Sequence, residues 1–182
     1  GTDVYAHLAQ VSGSTGYAAW RNVDGTAIQF AKSTDGGKTW AAPKNIDDSG
    51  PGADASCSAV AIDPADPQTA YVVYRLNREA CGGTQNVGVQ GDSTGTTLVL
   101  AVTKDGGATF VHHQLSATFN GYAICPDVVA PSAGHVIVSA PTGDPTYVDM
   151  FTSSSKGDDL ELTGCDDLND WYAPKTEQFS QF

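Results

Sequence analysis

The sequence predicts an all-β chain made of repeated units of four short antiparallel strands, and three observations predict it. First, an octapeptide occurs twice: Ser33-Thr34-Asp35-Gly36-Gly37-Lys38-Thr39-Trp40 and Thr103-Lys104-Asp105-Gly106-Gly107-Ala108-Thr109-Phe110 share the pattern Ser/Thr-x-Asp-Gly-Gly-x-Thr-aromatic. Each copy reads as a tight turn between strands. Asp accepts backbone N–H bonds within the turn, and the Gly pair supplies angles that a Cβ resists. Thr and the aromatic then open the next strand. Second, the chain is rich in Gly, Thr, Ser, Asp, Val and Ala, a mixture that suits strands and turns and suits helices badly. Third, short apolar or alternating runs recur between turn signals along most of the 182 residues.

In chain order, residues 1–50 form the first unit. Val4 to Val11 alternates loosely, Gly16 to Arg21 follows a Ser/Gly turn, Thr26 to Ser33 follows Asp24-Gly25, and a fourth strand follows the octapeptide near Thr39 to Ile46. Residues 45–55, rich in Pro, Asp, Gly and Ser, read as a link. The second unit covers 51–118. Its expected strands are Ser58 to Asp63, Thr69 to Arg75, Thr96 to Thr103 and Phe110 to Leu115, with a turn over Asp63 to Pro67 and a polar, Gly-rich insertion over 77–95. The third unit, 119–164, has strands at Asp127 to Ala130, His135 to Ala140 and Tyr147 to Ser153. It ends in a degenerate octapeptide, 153–160, with Ser155 for Asp, Asp159 for Thr and Leu160 for the aromatic. The intervals support that alignment. Ser33 to Thr103 is 70 residues and Thr103 to Ser153 is 50, equal once the insertion is removed. Residues 165–182 show no strand alternation and read as an acidic tail.

The octapeptide resembles the Asp box, or BNR repeat, of the sialidase-like β-propellers (the exo-alpha-sialidase-like superfamily). The phrase Ala61-Ile62-Asp63-Pro64-Ala65-Asp66-Pro67-Gln68-Thr69-Ala70-Tyr71-Val72 is similar to inner-strand segments of sortilin-like and xyloglucanase-like members. The resemblance covers Val4 to Leu162 and implies propeller blades, about three of them. It also implies that Ser33, Asp35, Gly37, Thr39 and Trp40, with Thr103, Asp105, Gly107, Thr109 and Phe110, mark the fold and stand apart from any active site. Propellers close with about four to eight blades. The remaining blades are therefore expected from a longer chain, as favoured here, or from another chain or copy; an unusual small all-β fold is the alternative. The chain starts at Gly1 rather than Met, as a processed or trimmed product would.

Composition narrows the function. A net charge of -12 and only nine Lys and Arg disfavour nucleic-acid binding. No apolar run reaches the ~20 residues that span a bilayer. Cys57, Cys81, Cys125 and Cys165 show no metal-ligand spacing. Their even number favours two disulfides, a secreted or cell-surface location and an oxidising compartment, with the pairing open.

The sialidase resemblance implies three substrate-clamping arginines, a Tyr-Glu nucleophile pair and an Asp acid/base. The only arginines are Arg21, Arg75 and Arg78, two of them neighbours, and Glu79, Glu161 and Glu177 form no such pair. No complete sialidase site is expected, and the catalytic residues are unknown. The ligand-binding candidates are Arg21, Arg75, Arg78 and Glu79. Arg21 and Arg75 end equivalent strands after Trp20 and Tyr74, which alternation assigns to the core. Arg78, Glu79, Cys81 and Gln85 belong to the insertion, and loops on a rigid frame carry specificity. Asp35 and Asp105 read as turn-formers, as do Asp63 and Asp66. His112 and His113 are consecutive on a strand and face apart. No metal or cofactor is called for; Asp158, Asp159, Glu161, Asp166, Asp167 and Asp170 would suit Ca²⁺ but lack EF-hand order and read as a solvated tail.

Two function classes follow. One is a secreted glycan-binding module or piece of a glycoside hydrolase. The other is a noncatalytic extracellular scaffold making protein contacts.

Overall fold

The computed structural model describes residues 6–8, 13–46, 55–76, 96–118, 125–141, 147–160 and 176–180, and these contain strands and turns but no helix. Among the described residues, twelve strands form three four-stranded antiparallel sheets, each in simple chain order. The first sheet holds β1 (Ala6–Leu8), β2 (Gly16–Arg21), β3 (Ile28–Ser33) and β4 (Lys44–Asn45). The second holds β5 (Ala55–Asp63), β6 (Asp66–Leu76), β7 (Thr96–Thr103) and β8 (Val111–Thr118). The third holds β9 (Asp127–Ser132), β10 (His135–Pro141), β11 (Tyr147–Ser153) and β12 (Thr176–Ser180).

Three expectations are corrected. The turn at Asp63 to Pro67 is only Pro64-Ala65, because Asp66 already pairs with Asp63. The fourth strand of the first sheet shrinks from Thr39–Ile46 to Lys44–Asn45; only Gln29 and Phe30 of β3 pair with it. The acidic tail is not strand-free: Thr176–Ser180 pairs with β11 from Tyr147 to Phe151 and completes the third sheet. Edge pairing of backbone groups recruits a segment whose side chains show no alternation.

The second sheet lies between the other two, and alternation along its central strands shows why. Ala70, Val72 and Tyr74 of β6, with Val99 and Ala101 of β7, pack in one cluster with Tyr17, Ala19, Ile28 and Phe30 of the first sheet. Tyr71 and Val73, with Leu98, Leu100 and Val102, pack in another with Val128, Val136, Val138 and Phe151 of the third. Both faces are buried, so both parities are apolar. Truncating Leu100, which is fully buried, would cost about 2–5 kcal/mol.

The octapeptide turns join β3 to β4 and β7 to β8, and one bonding scheme recurs in all three sheets. Oγ of Ser33, Oγ1 of Thr103 and Oγ of Ser153 accept N–H bonds from Gly37, Gly107 and Gly157 at 2.8–2.9 Å. The N–H groups of Gly36, Gly106 and Lys156 donate to the carbonyls of Ser14, Gln68 and Gly134, tying each turn to the first hairpin of its own sheet. All six residues at the Gly-pair positions are left-handed, including Lys156 at φ 58°. In the first two turns Asp35 and Asp105 accept from both N–H and Oγ1 of Thr39 and Thr109. The third turn moves its carboxylate: Ser155 replaces the Asp, and Asp159 accepts from Oγ of Ser153 instead.

These turns also join sheets. Phe110 meets Phe30 of the first sheet edge-on at 5.1 Å, and a Cβ on Gly107 would lie 2.5 Å from the Phe30 ring. A Cβ on Gly157 would lie 3.2 Å from Leu100 and Val102, and Leu160 is buried in the same cluster. Lys104–Asp158 and Lys156–Asp66 ion pairs cross the second junction. A disulfide between Cys57 on β5 and Cys125 just before β9 links the first strands of the second and third sheets.

Candidate functional site

The end of the sheets away from the octapeptide turns carries the candidate arginines. Ser33, Thr103 and Ser153, which open the turns, pair with Gly16, Ala70 and Val136. Five residues further along the second strands come Arg21, Arg75 and Pro141, about 17 Å from the turn end at strand rise. Arg21 and Arg75 therefore hold equivalent places at one end of neighbouring sheets. Each lies on the face turned toward the next sheet, in the column of Tyr17 and Ala19 or of Tyr71 and Val73. Both are half-buried.

Arg21 is positioned by the tight turn that follows it. Asn22 Oδ1 accepts from the N–H groups of Thr26 and Ala27, and the Asn22 N–H donates to the Ala27 carbonyl. Gly25, at φ 73°, leaves room for the guanidinium: a Cβ there would lie 2.1 Å from Nη2 of Arg21. Only glycine lets this arginine lie across its own turn. Asp24-Gly25 lies in a turn, and Asn22 with Gly25 holds Arg21, a role that the Asn-x-x-Gly spacing signals. Arg75 is the penultimate residue of β6, just before residues 77–95 in the chain. Arg78, Glu79 and Gln85 lie outside the described residues, as do Cys81 and Cys165.

The neighbouring aromatics divide. Tyr74 is fully buried toward the first sheet. Trp20, expected in the core, is only half-buried, because its parity puts it on the face of the first sheet turned away from the second.

Tyr17 and Tyr71 are fully buried phenols, and their setting is one of packing. Tyr17 donates to the Pro67 carbonyl at 2.7 Å, and burial pushes its pKa up to about 12. Tyr71 donates to Asp63 Oδ2 at 3.3 Å, and burial drives its pKa up further. The same Asp63 oxygen accepts the Gly134 N–H of the third sheet at 2.7 Å.

Asp35 and Asp105 are unsuited to proton transfer near neutrality. The Thr39 hydroxyl, followed by its N–H, holds Asp35 at about 2, and the Thr109 hydroxyl and N–H hold Asp105 well below the usual carboxylate range. His112 and His113 face apart: His112 Nε2 lies 2.6 Å from the Ile46 carbonyl of the first sheet, whereas His113 pairs with Leu100 and is buried. Asp158 engages Lys104 and Asp159 engages Ser153. Glu161, Asp166, Asp167 and Asp170 lie outside the described residues, among which no cluster of three potential metal ligands occurs. No helix there is long and apolar enough to cross a membrane.

No family model and no curated protein matched the chain. Solved structures did. The alpha-L-arabinanase of Penicillium chrysogenum, solved with arabinobiose, superposes with a TM-score of 0.57 at 17% identity over 84% of this chain. The likeness is one of fold. The chain is thus a set of β-propeller blades, spanning 46% of the arabinanase's length. A Hadza microbial sialidase is also similar, with a TM-score of 0.44 and 12% identity over 86% of this chain and 44% of its own.

Proposed function

We propose that the chain is part of a secreted, sialidase-like propeller that binds or processes glycans at the arginine-bearing end of its blades. The observation that carries this reading is the equivalent placement of Arg21 and Arg75 on adjacent blades, one clamped over Gly25 and the other at the root of the 77–95 insertion. Guanidinium forks on a rigid sheet end suit the hydroxyls and carboxylates of sugars. The fold shared with an arabinanase agrees with a saccharide ligand. The Cys57–Cys125 bond agrees with an oxidising compartment. Turnover would draw on catalytic residues elsewhere, since the tyrosines and turn carboxylates described above serve the fold.

A glycan array probed with the full chain tests this, together with hydrolysis assays on arabino- and sialyl-oligosaccharides. The expected result is saccharide binding without turnover, weakened at least about tenfold by Arg75→Met, the loss of one charged hydrogen-bonding partner. Unchanged binding in that variant would displace the site from this end. A noncatalytic scaffold is the second reading, favoured by the exposed first turn.

A further inference from the structure

We infer that the Cys57–Cys125 bond is a positioning device for the arginine end of the second blade: it holds one extra residue in β5 beside Arg75, and its reduction lets β5 slip by one residue there. Among the described residues, only Cys57 and Lys156 combine a side chain with positive φ, at 45° and 58°. Lys156 stands at a Gly-pair position of the third turn, where its N–H donates to the Gly134 carbonyl. Cys57 stands inside a strand. There a left-handed residue brings its Cβ against the following carbonyl oxygen, and glycine is the usual occupant of such a place, in a bulge.

The pairing of β5 with β6 shows the bulge. Ser58 to Ile62 run opposite Tyr74 to Ala70 without a break, but Ser56 is already opposite Arg75, so Cys57 is the extra residue between them. Packing fixes the regular stretch. Ala59 and Ala61 belong to the core shared with the third blade, and Val60 and Ile62 to the core shared with the first. A shift of one residue there would exchange the two faces. Any adjustment of the bulge therefore runs toward residues 55 and 56.

The bond that holds the extra residue crosses to the next blade. Cys125 stands two residues before β9, the first strand of the third blade. Arg75 is on the face of β6 turned toward that blade, in the column of Tyr71 and Val73. Both half-cystines are partly exposed, within reach of a small reductant. At the turn end the same junction is held without them, by the Gly134 N–H on Asp63 and by the Lys156–Asp66 pair. Breaking the bond therefore frees Cys57 while the blades stay packed.

A dithiol supplies the two electrons and two protons: the S–S bond breaks, Cys57 and Cys125 become thiols, and the dithiol closes to its own disulfide. Relaxation of Cys57 to an extended φ then removes the bulge. Cys57 takes Arg75 as its partner, and Ser56 moves to Leu76, which pairs with Ala55 in the oxidised protein. That the slip alters a saccharide site at Arg75 rests on the function proposed above; the slip itself does not.

Backbone NMR of the full chain reads the slip directly. The oxidised protein is expected to show cross-strand proton contacts between residues 56 and 75. The protein reduced with dithiothreitol is expected to lose them and to gain contacts between residues 57 and 75. Because the reductant also reaches Cys81 and Cys165, two paired variants isolate the cause. Cys57→Val with Cys125→Ser is expected to slip without reductant, since a β-branched residue resists positive φ. Cys57→Gly with Cys125→Ser is expected to keep the 56–75 pairing with no bond at all, since glycine adopts that φ freely. A cross-link that merely stabilised the fold would not separate these two variants. Should the Val variant fail to fold, the reduced protein and the Gly variant still decide. A reduced protein that keeps the 56–75 pairing, or a Gly variant that slips, would overturn the inference. Arabinobiose titrated into the same samples keeps the two readings apart. Weaker binding in the slipped forms alone joins them, whereas absent or unchanged binding leaves the slip standing and takes Arg75 out of the saccharide site.

Discussion

At the scale of residues, Asp35 shows how one carboxylate closes a turn. Its pKa falls from 3.8 to about 2, chiefly because Thr39 donates through its hydroxyl and its N–H. A carboxylate depressed in the folded state contributes stability above its unfolded pKa and loses it as pH falls through the folded value. Asp35→Asn is therefore expected to melt below wild type near neutrality, with the difference shrinking from pH about 4 to about 2. Thermal melts across that range check it. In the third turn the charge has moved from position three to position seven. Asp159→Thr alone is expected to destabilise, because Ser153 loses its carboxylate partner. Adding Ser155→Asp should restore the Asp–Thr arrangement of the other turns. A double-mutant cycle is expected to show favourable coupling of about 0.5–3 kcal/mol. The sequence alignment exposed the decayed positions, but only the geometry shows that the two changes compensate each other.

At the scale of elements, strands with clear patterns were legible and paired edges were not. Gly16–Arg21, Thr96–Thr103 and Tyr147–Ser153 are strands with the bounds that their alternation and flanking turns imply. Lys44–Asn45 and Thr176–Ser180 owe their state to a neighbouring strand, a tertiary effect with little local signal. The Gly pairs carried a second meaning. Positive φ explains Gly36 and Gly37, whereas Gly107 must also admit the Phe30 ring. Gly107→Ala is thus expected to cost about 1–2 kcal/mol for backbone strain plus about 1–3 kcal/mol for overpacking. Gly37→Ala should cost the strain alone. Urea unfolding of the two variants separates these costs, and equal losses would contradict the docking role of Gly107.

At the scale of the whole molecule, the blades were legible because each repeats a turn, and their mutual packing was not, because no local pattern encodes which turn seats on which sheet. Cysteine number pointed to disulfides without choosing partners; the fold brings Cys57 to Cys125 by stacking β5 beside the start of β9. Closing a loop between residues 68 apart, that bond is expected to contribute about 2–4 kcal/mol. Cys57→Ser with Cys125→Ser should lower the urea midpoint accordingly. The candidate site was half legible. Arg21 and Arg75 hold matching places in the sequence after Trp20 and Tyr74, but their common end, opposite the turns, emerges only from the strand register. The measurement that tests this placement most directly is amide chemical-shift mapping of the full chain titrated with arabinobiose and with a sialyl-oligosaccharide. A glycan site at the arginine end predicts shifts concentrated at Arg21 to Ala27 and around Arg75, with the turns at 33–40 and 103–110 unmoved. Shifts centred on those turns, or none with either sugar, would contradict it.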